Sequence, residues 1–379
     1  MKSRGIWVLV SVLLVMGLLA GGFSCTTPTE TPTTPTTPTT PTTPTTPTIT
    51  PMTLRFASVW APPDVFYASY EAELWMDMIT ERTDGAITFD QSWGGTLGAP
   101  GEYFDLTTTG AIDIGHATTL YAPSKFPLAD YAYACVTGPV GEIMVRANRQ
   151  LWEEFPQFEQ DFTTQNLVCI ATTPVFEYTF ASEAPITTVE DFNGKKVMVI
   201  GSWPGKWLEP IGAIPIVAPG QDRYSMAQTG VADIDLLPMD HQWGYKVLEV
   251  LPYFTGGTGL APAPTISIFM NLDTFNSLSP EVQQIFLDAG EDMELLSATV
   301  EGPKWIEERI YADYQAAGYN MSTFPTEEMA KWQAVMPDIG AVYAAALTEK
   351  GYPGWEIMQR YQEITSDLGY EWMRQWAVK

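Results

Sequence analysis

The chain is poor in histidine, cysteine and basic side chains, and each shortage removes a class of function. Its two histidines, His116 and His241, exclude a multi-histidine metal centre. Its three cysteines, Cys25, Cys135 and Cys169, are too few for a disulfide framework, and Cys135 and Cys169 are expected as buried thiols acting as small hydrophobes. With 19 Lys and Arg against 45 Asp and Glu, neither nucleic acid nor an anionic lipid surface is expected as a partner, and the acidity serves solubility. The sequence also lacks a G-x-S-x-G elbow, a Walker A loop, H-E-x-x-H and C-x-x-C, while Gly256-Gly257-Thr258-Gly259 is too generic for a phosphate loop. No cofactor and no metal are expected. An α/β hydrolase with a paired-carboxylate site is retained only as a minor alternative, because acidic residues are numerous.

A long apolar stretch occurs only at the start. Lys2 and Arg4 precede the uncharged run Ile6 to Ala20, and Gly21, Gly22 and Ser24 lead into Cys25. This is a secretory signal peptide over residues 1–24, shorter than the ~20 apolar residues that a bilayer crossing needs. Cys25 resembles a lipobox cysteine, with ordinary cleavage and an unmodified thiol as the alternative. Residues 25–52 then carry a Thr/Pro repeat with almost nothing to bury, biased to extended polyproline geometry, and read as a tether between a lipid and a domain. The chain is thus expected outside the cytoplasm, in the periplasm or on the outer face of the cytoplasmic membrane.

From Thr53 the pattern alternates strand and helix. TLRFASVW reads as a first strand, with a helix after it carrying Phe66, Tyr70, Leu74, Trp75, Met78 and Ile79 as its apolar stripe and Asp64 as its cap. Further strands follow at Ala86 to Trp93 and Ile112 to Thr118, then a second set between Leu167 and Leu237, then Thr265 to Asn271. Pro280 opens a helical run, broken or bent only around Pro303, that is too long for one small domain. Two α/β units bridged by a long helix are the expected architecture.

Several stretches resemble the solute-binding proteins of tripartite ATP-independent periplasmic (TRAP) transporters, in the family first associated with dicarboxylates. They are RTDGAITFDQSWGGTLG with GEYFDLTTTGAIDIGHA, then APITTVEDFNGKKVMV, IGAIPIVAPGQDRYSMAQTGVADIDLLP and SLSPEVQQIFLDAGEDM, in that order. The resemblance implies two lobes closing on one ligand, residues 53–175 with 264–290 forming one and 176–263 with 291–379 the other. It also implies binding and not chemistry, with delivery to membrane permease subunits driven by an ion gradient. A binding protein serving an ATP-driven importer or a sensor would use the same clamp.

The family places a carboxylate-pairing arginine on the strand after its "G-x-K" turn, a position that falls here on Met198, and a second arginine of some members falls near Glu177. A thioether donates no hydrogen bond, so a simple carboxylate held by the family arginine is not the expected ligand. Arg223 or Lys206 could compensate, although their placement on helices points to solvated surface. Trp60, Trp93, Trp203 and Trp243 stand at strand ends or loops where two lobes could meet, and Thr118, Thr119 and Tyr121 follow the third strand, so these are cleft candidates or packing residues. Glu177, Asp235 and Asp240 could add negative charge there. His116 is expected as a packed, hydrogen-bonded histidine in preference to a ligand contact, and His241 either lines the cleft or starts a helix.

Overall fold

The computed structural model describes residues 49–173, 176–260 and 264–377. The signal peptide, Cys25 and the tether up to residue 48 lie outside the described residues. Among those described, no helix is long and apolar enough to cross a membrane.

The strands are, in chain order, β1 Met52–Ser58, β2 Ile87–Ser92, β3 Ile114–Thr118, β4 Leu167–Thr173, β5 Tyr178–Ser182, β6 Lys196–Val199, β7 Ile214–Val217, β8 Ile234–Pro238, β9 Tyr253–Leu260, β10 Ile266–Asn271 and β11 Asn320–Thr323. They form two sheets, ordered β2-β1-β3-β10-β4 and β11-β9-β5-β8-β6-β7. In the first, β1 runs parallel to β2 and β3, and β10 antiparallel to β3 and β4. In the second, β6 runs parallel to β7 and β8, and β5 antiparallel to β8 and β9. The chain therefore passes between sheets from β4 to β5 and back from β9 to β10, so β5 and β10 are the antiparallel members that tie two otherwise parallel motifs together.

Local chemistry fixes these elements. Leu54 and Phe56 of β1 are buried while Arg55 faces out, where it grips Asp113 at 2.7 Å and the carbonyls of Gly110 and Ala111, setting β3 against β1. The helix Tyr67–Arg82 starts from an extended Phe66, not from Asp64. Its deepest face is Ala68, Ala72, Trp75, Met76 and Ile79, rotated from the stripe expected, because it packs on both its sheet and the helix Pro280–Leu296, and Leu74 and Met78 are left half-buried. Cys135 and Cys169 are both free thiols.

The helical run from Pro280 does not stop at Pro303. It continues to Ala317, with wide π turns at Ser297–Glu301 and Ile306–Tyr311 on either side of the proline. Pro303 cannot donate a backbone bond, and the widened turn absorbs the defect: Gly302 N–H bonds the Ser297 carbonyl, which also accepts from Tyr67 Oη at 3.2 Å. Only glycine fits at 302, since a Cβ there would lie 2.6 Å from the Ser297 carbonyl and 3.0 Å from the Phe176 ring. The first half of this run shares a core with the first sheet, through Phe286, Ala289 and Met293. The second half shares one with the second sheet, through Trp305, Ile310 and Tyr314. A third core joins Leu128 to Val136 and the helix Gly141–Glu154 to the C-terminal helices and to β5, β6 and β8.

Candidate functional site

A void lies between the two sheets, at the carboxyl ends of the parallel strands, where open α/β sheets hold their ligands. Trp60 follows β1, Thr118 ends β3 and Thr265 and Ile266 open β10 on one side. Tyr178 opens β5, Ile200 follows β6 and Leu237 and Pro238 end β8 on the other. The space between atoms is about 390 Å³, of which only about 20 Å³ admits the centre of a water-sized sphere, room for about one water. The two lobes are in close contact around it.

Its charge comes from Arg223, on the short helix Arg223–Gln228. The expectation of solvated surface is corrected here: Arg223 exposes nothing, because the equally buried Asp235 of β8 pairs with its Nη1 and makes the burial tolerable. Nη2 donates to the Ala218 carbonyl at 3.2 Å, and Nε has no hydrogen-bond partner among the described residues. Asp235 is held in turn by Gln242, whose Nε2 donates to the Asp235 carbonyl at 3.0 Å and to its Oδ2 at 3.3 Å while its Oε1 accepts from Thr179 at 2.9 Å. Burial pushes the Asp235 carboxyl up, and Arg223 and Gln242 pull against it.

Met198 is the register partner of Asp235 on the adjacent strand and is fully buried, packed among Ala181, Ala218 and Met239. Its thioether does not line the void; the guanidinium instead arrives from Arg223 and docks on the neighbouring strand at the same level. Lys206 does not substitute, since its ammonium lies 5.1 Å from the centre of the Trp203 ring.

Aromatic groups make most of the remaining wall. Trp60 lies 4.6 Å from the His116 ring in a tilted contact and meets His241 edge-on at 6.2 Å, so the two histidines flank one tryptophan from opposite lobes. His116 shares a hydrogen bond with Ser58 Oγ at 3.1 Å, and burial depresses its pKa to about 3, helped by His241. His241 Nδ1 lies 2.9 Å from Asp240 Oδ2. The hydroxyls of Tyr133 and Tyr178 bond each other at 2.9 Å, and Tyr121 and Tyr245 complete the wall. Gly220 must be glycine, since a Cβ would sit 2.1 Å from Tyr245 Oη.

Of the residues singled out from sequence, the void brings together Trp60, Thr118, Tyr121, Arg223 and His241, with Asp235 directly behind Arg223. Thr119 is turned away and donates to the Thr265 carbonyl. Glu177 does not enter the void, because its two oxygens accept the backbone N–H groups of Gly257 and Gly259 at 2.7 and 3.2 Å. Trp93 packs on Phe56, Trp203 on Tyr343, and Trp243 bonds Asp313 at 2.8 Å. Tyr133, Tyr178 and Tyr245 were missed; the signal available was that Tyr178 opens a strand and Tyr245 ends a helix beside His241. Among the described residues no group of three or more His, Cys, Asp or Glu side chains could hold a metal ion.

Comparison with known proteins agrees with this fold. A crystal structure of a TRAP solute-binding protein from Rhodoferax ferrireducens T118, in complex with copurified benzoate, matches with a TM-score of 0.71 at 18% identity, over 83% of this chain and 98% of that one. A marine-metagenome TRAP solute-binding protein specific for pyroglutamate matches with a TM-score of 0.68 at 18% identity, over 83% and 99%. A solute-binding protein of Sulfitobacter sp. (strain NAS-14.1) is 27% identical over 229 residues, which span 57% of this chain and 65% of the relative. The profile described as bacterial extracellular solute-binding protein, family 7, matches residues 56–345, and the chain belongs to that family.

Proposed function

We propose that the protein is an extracytoplasmic receptor that closes its two lobes on one small organic acid and hands it to the permease subunits of a TRAP-type transporter. The observation that carries this reading is Arg223, a fully buried guanidinium on the wall of the interlobe void with one N–H left unpartnered. The side of a guanidinium formed by Nε and Nη2 presents two parallel donors to a carboxylate, and a buried donor without a partner is costly until a ligand meets it. Trp60 and the tyrosine wall offer faces for a compact planar body. Benzoate and pyroglutamate, bound by the two structural relatives, are acids of that size. The ligand is then a carboxylate held without the family's strand arginine, through Arg223. Attachment at Cys25 would keep the acidic domain beside the permease, with the Thr/Pro stretch as spacer. Binding, not turnover, is the activity.

The test is thermal unfolding of the exported chain, carrying Cys25→Ser so that it is released, against a panel of carboxylates, amines, sugars and polyols. A ligand at a hundredfold excess over Kd adds about 2.7 kcal/mol of stability. A carboxylate that raises Tm and is recovered unchanged supports the reading; consumption of the compound, or stabilisation only by amines or sugars, sinks it.

A further inference from the structure

We propose that capture of the anionic solute takes up one proton from solvent at Asp235, so that the cleft holds an organic acid more tightly as the medium becomes more acidic. This rests on the reading of the cleft as an organic-acid site and says how that site balances its charge.

Among the described residues Arg223 is the one Lys or Arg side chain that lines the void, and its charge is already matched by Asp235. A carboxylate that settles on the free Nε side therefore makes a third buried charge. The set Arg223, Asp235 and solute would carry one net negative charge in a space with room for about one water, and an uncompensated buried charge costs several kcal/mol. The site escapes this cost by leaving the anion outside, by neutralising one carboxylate or by protonating His241 on the opposite wall.

Asp235 is the carboxylate placed to change. The solute and Asp235 compete for one guanidinium, and a neutral Asp235 releases Arg223 to the solute while gaining an O–H that can itself donate. Its other neighbours tolerate the change. Gln242 donates to it weakly at 3.3 Å, and the flanking side chains on the adjacent strands, Ala181 and Met198, carry no charge. The remaining titratable groups around the pair are His241 and Asp240 on the helix Met239–Gly244, Tyr314 on the bridging helix, and Tyr121, Tyr178 and Tyr245 about the guanidinium. His241 is engaged with Asp240, and the tyrosines start neutral. Burial already biases the Asp235 carboxyl toward its protonated form. In the step itself a proton from bulk water forms the O–H bond on Asp235, the Arg223 contact passes to the solute, and the solute stays an anion.

The experiment is calorimetric titration of the exported Cys25→Ser chain with benzoate and with pyroglutamate, in phosphate and in Tris buffer at about pH 7.5. The dependence of heat on buffer ionisation counts protons, and one proton taken up per acid bound is expected. Across about pH 6.5 to 8.5 the Kd should weaken by about tenfold per pH unit. Asp235→Asn should bind with a flat pH profile, no proton uptake, and tighter than wild type at the alkaline end. Binding by wild type with no proton uptake and a flat profile overturns the proposal and leaves the organic-acid reading standing. Uptake that persists in Asp235→Asn also overturns it and points to His241. Absence of binding by either acid at every pH removes both.

Discussion

Among the described residues, two arginine–carboxylate pairs have a buried carboxylate, and they are built differently. At the edge of the first sheet, Glu294 of the bridging helix accepts from Arg149 Nε at 2.6 Å and from the Thr172 backbone N–H of β4 at 2.6 Å, with Arg149 leaning on Glu291 at its solvent side. Its carboxylate has a donor on each oxygen, and the pair closes an edge strand against a helix. In the cleft, Arg223 and Asp235 lie in full burial, yet the arginine keeps an N–H without a partner. Completeness separates the two: each oxygen of the Glu294 carboxylate has its donor, whereas Arg223 keeps a buried N–H without a partner among the described residues, the feature on which the proposed function rests.

The sharpest way to break this comparison is Arg223→Met. Asp235 would remain buried without its partner, so we expect loss of organic-acid binding together with about 3–5 kcal/mol of destabilisation in chemical denaturation. Adding Asp235→Leu should return most of the stability and none of the binding. If the single variant still bound acids, the two pairs would differ in nothing that matters.

The edge pair should show itself in pH instead. Burial raises the Glu294 carboxyl to about 7, against the pull of Arg149 and the Thr172 N–H. Because the folded value lies above the unfolded one, its contribution to stability is full below about pH 4.5 and is lost as the pH rises through about 7. Wild type should therefore lose stability relative to Glu294→Gln over that window, by at most about 3 kcal/mol, with the acid Kd moving in parallel in the two proteins. A gap that widens in the opposite direction would mean that Arg149 dominates the site. Arg149→Met is expected to cost less, about 1–2 kcal/mol, since Glu294 can take up a proton, and to leave ligand affinity unchanged.

The architecture was legible in the sequence to a greater depth than the site. Alternation and helix periodicity marked eight of the eleven described strands, with Leu54 and Phe56 of β1 burying one face as alternation requires, but not β5, β9 or β11. Arg223 resisted the same reading. A charged residue on a six-residue helix looks solvated until Asp235, twelve positions on and on a strand, is known to meet it. The tryptophans failed for the converse reason. Trp60, Trp93, Trp203 and Trp243 all stand at element ends, and only the packing of the lobes decides that Trp60 meets the void while Trp203 rests on Tyr343. Met198 faces Ala181 and Ala218 because β6 alternates, with Val197 and Val199 turned to the C-terminal helices.

The smallest expected effect concerns the two thiols. Burial pushes both Cys135 and Cys169 above the ordinary thiol range, so a thiol reagent at neutral pH should label the folded Cys25→Ser chain slowly and both cysteines promptly after unfolding. Fast labelling of Cys135 in the folded protein would show that the third core opens more readily than its packing implies.

The bridging helix carries a register mark in its own sequence. Its buried side chains run Val282, Phe286, Ala289, Met293 and Ser297 at three- and four-residue steps, then jump by five to Gly302, and after Trp305 by five again to Ile310 and Tyr314. The two long steps coincide with the wide turns at Ser297–Glu301 and Ile306–Tyr311. Each residue of an α-helix advances the side-chain direction by about 100°, so a five-residue step wound as ordinary α-helix would turn the later side chains off the buried face, and the wide turns keep them on it. Removing one residue from either wide turn would leave a four-residue step that ordinary winding carries on the same face, so Tyr314 would stay in the second lobe. The wide turns are therefore where the bridging helix tolerates the loss of a residue, whereas a deletion in its α-helical stretches would swing everything beyond it by about 100°.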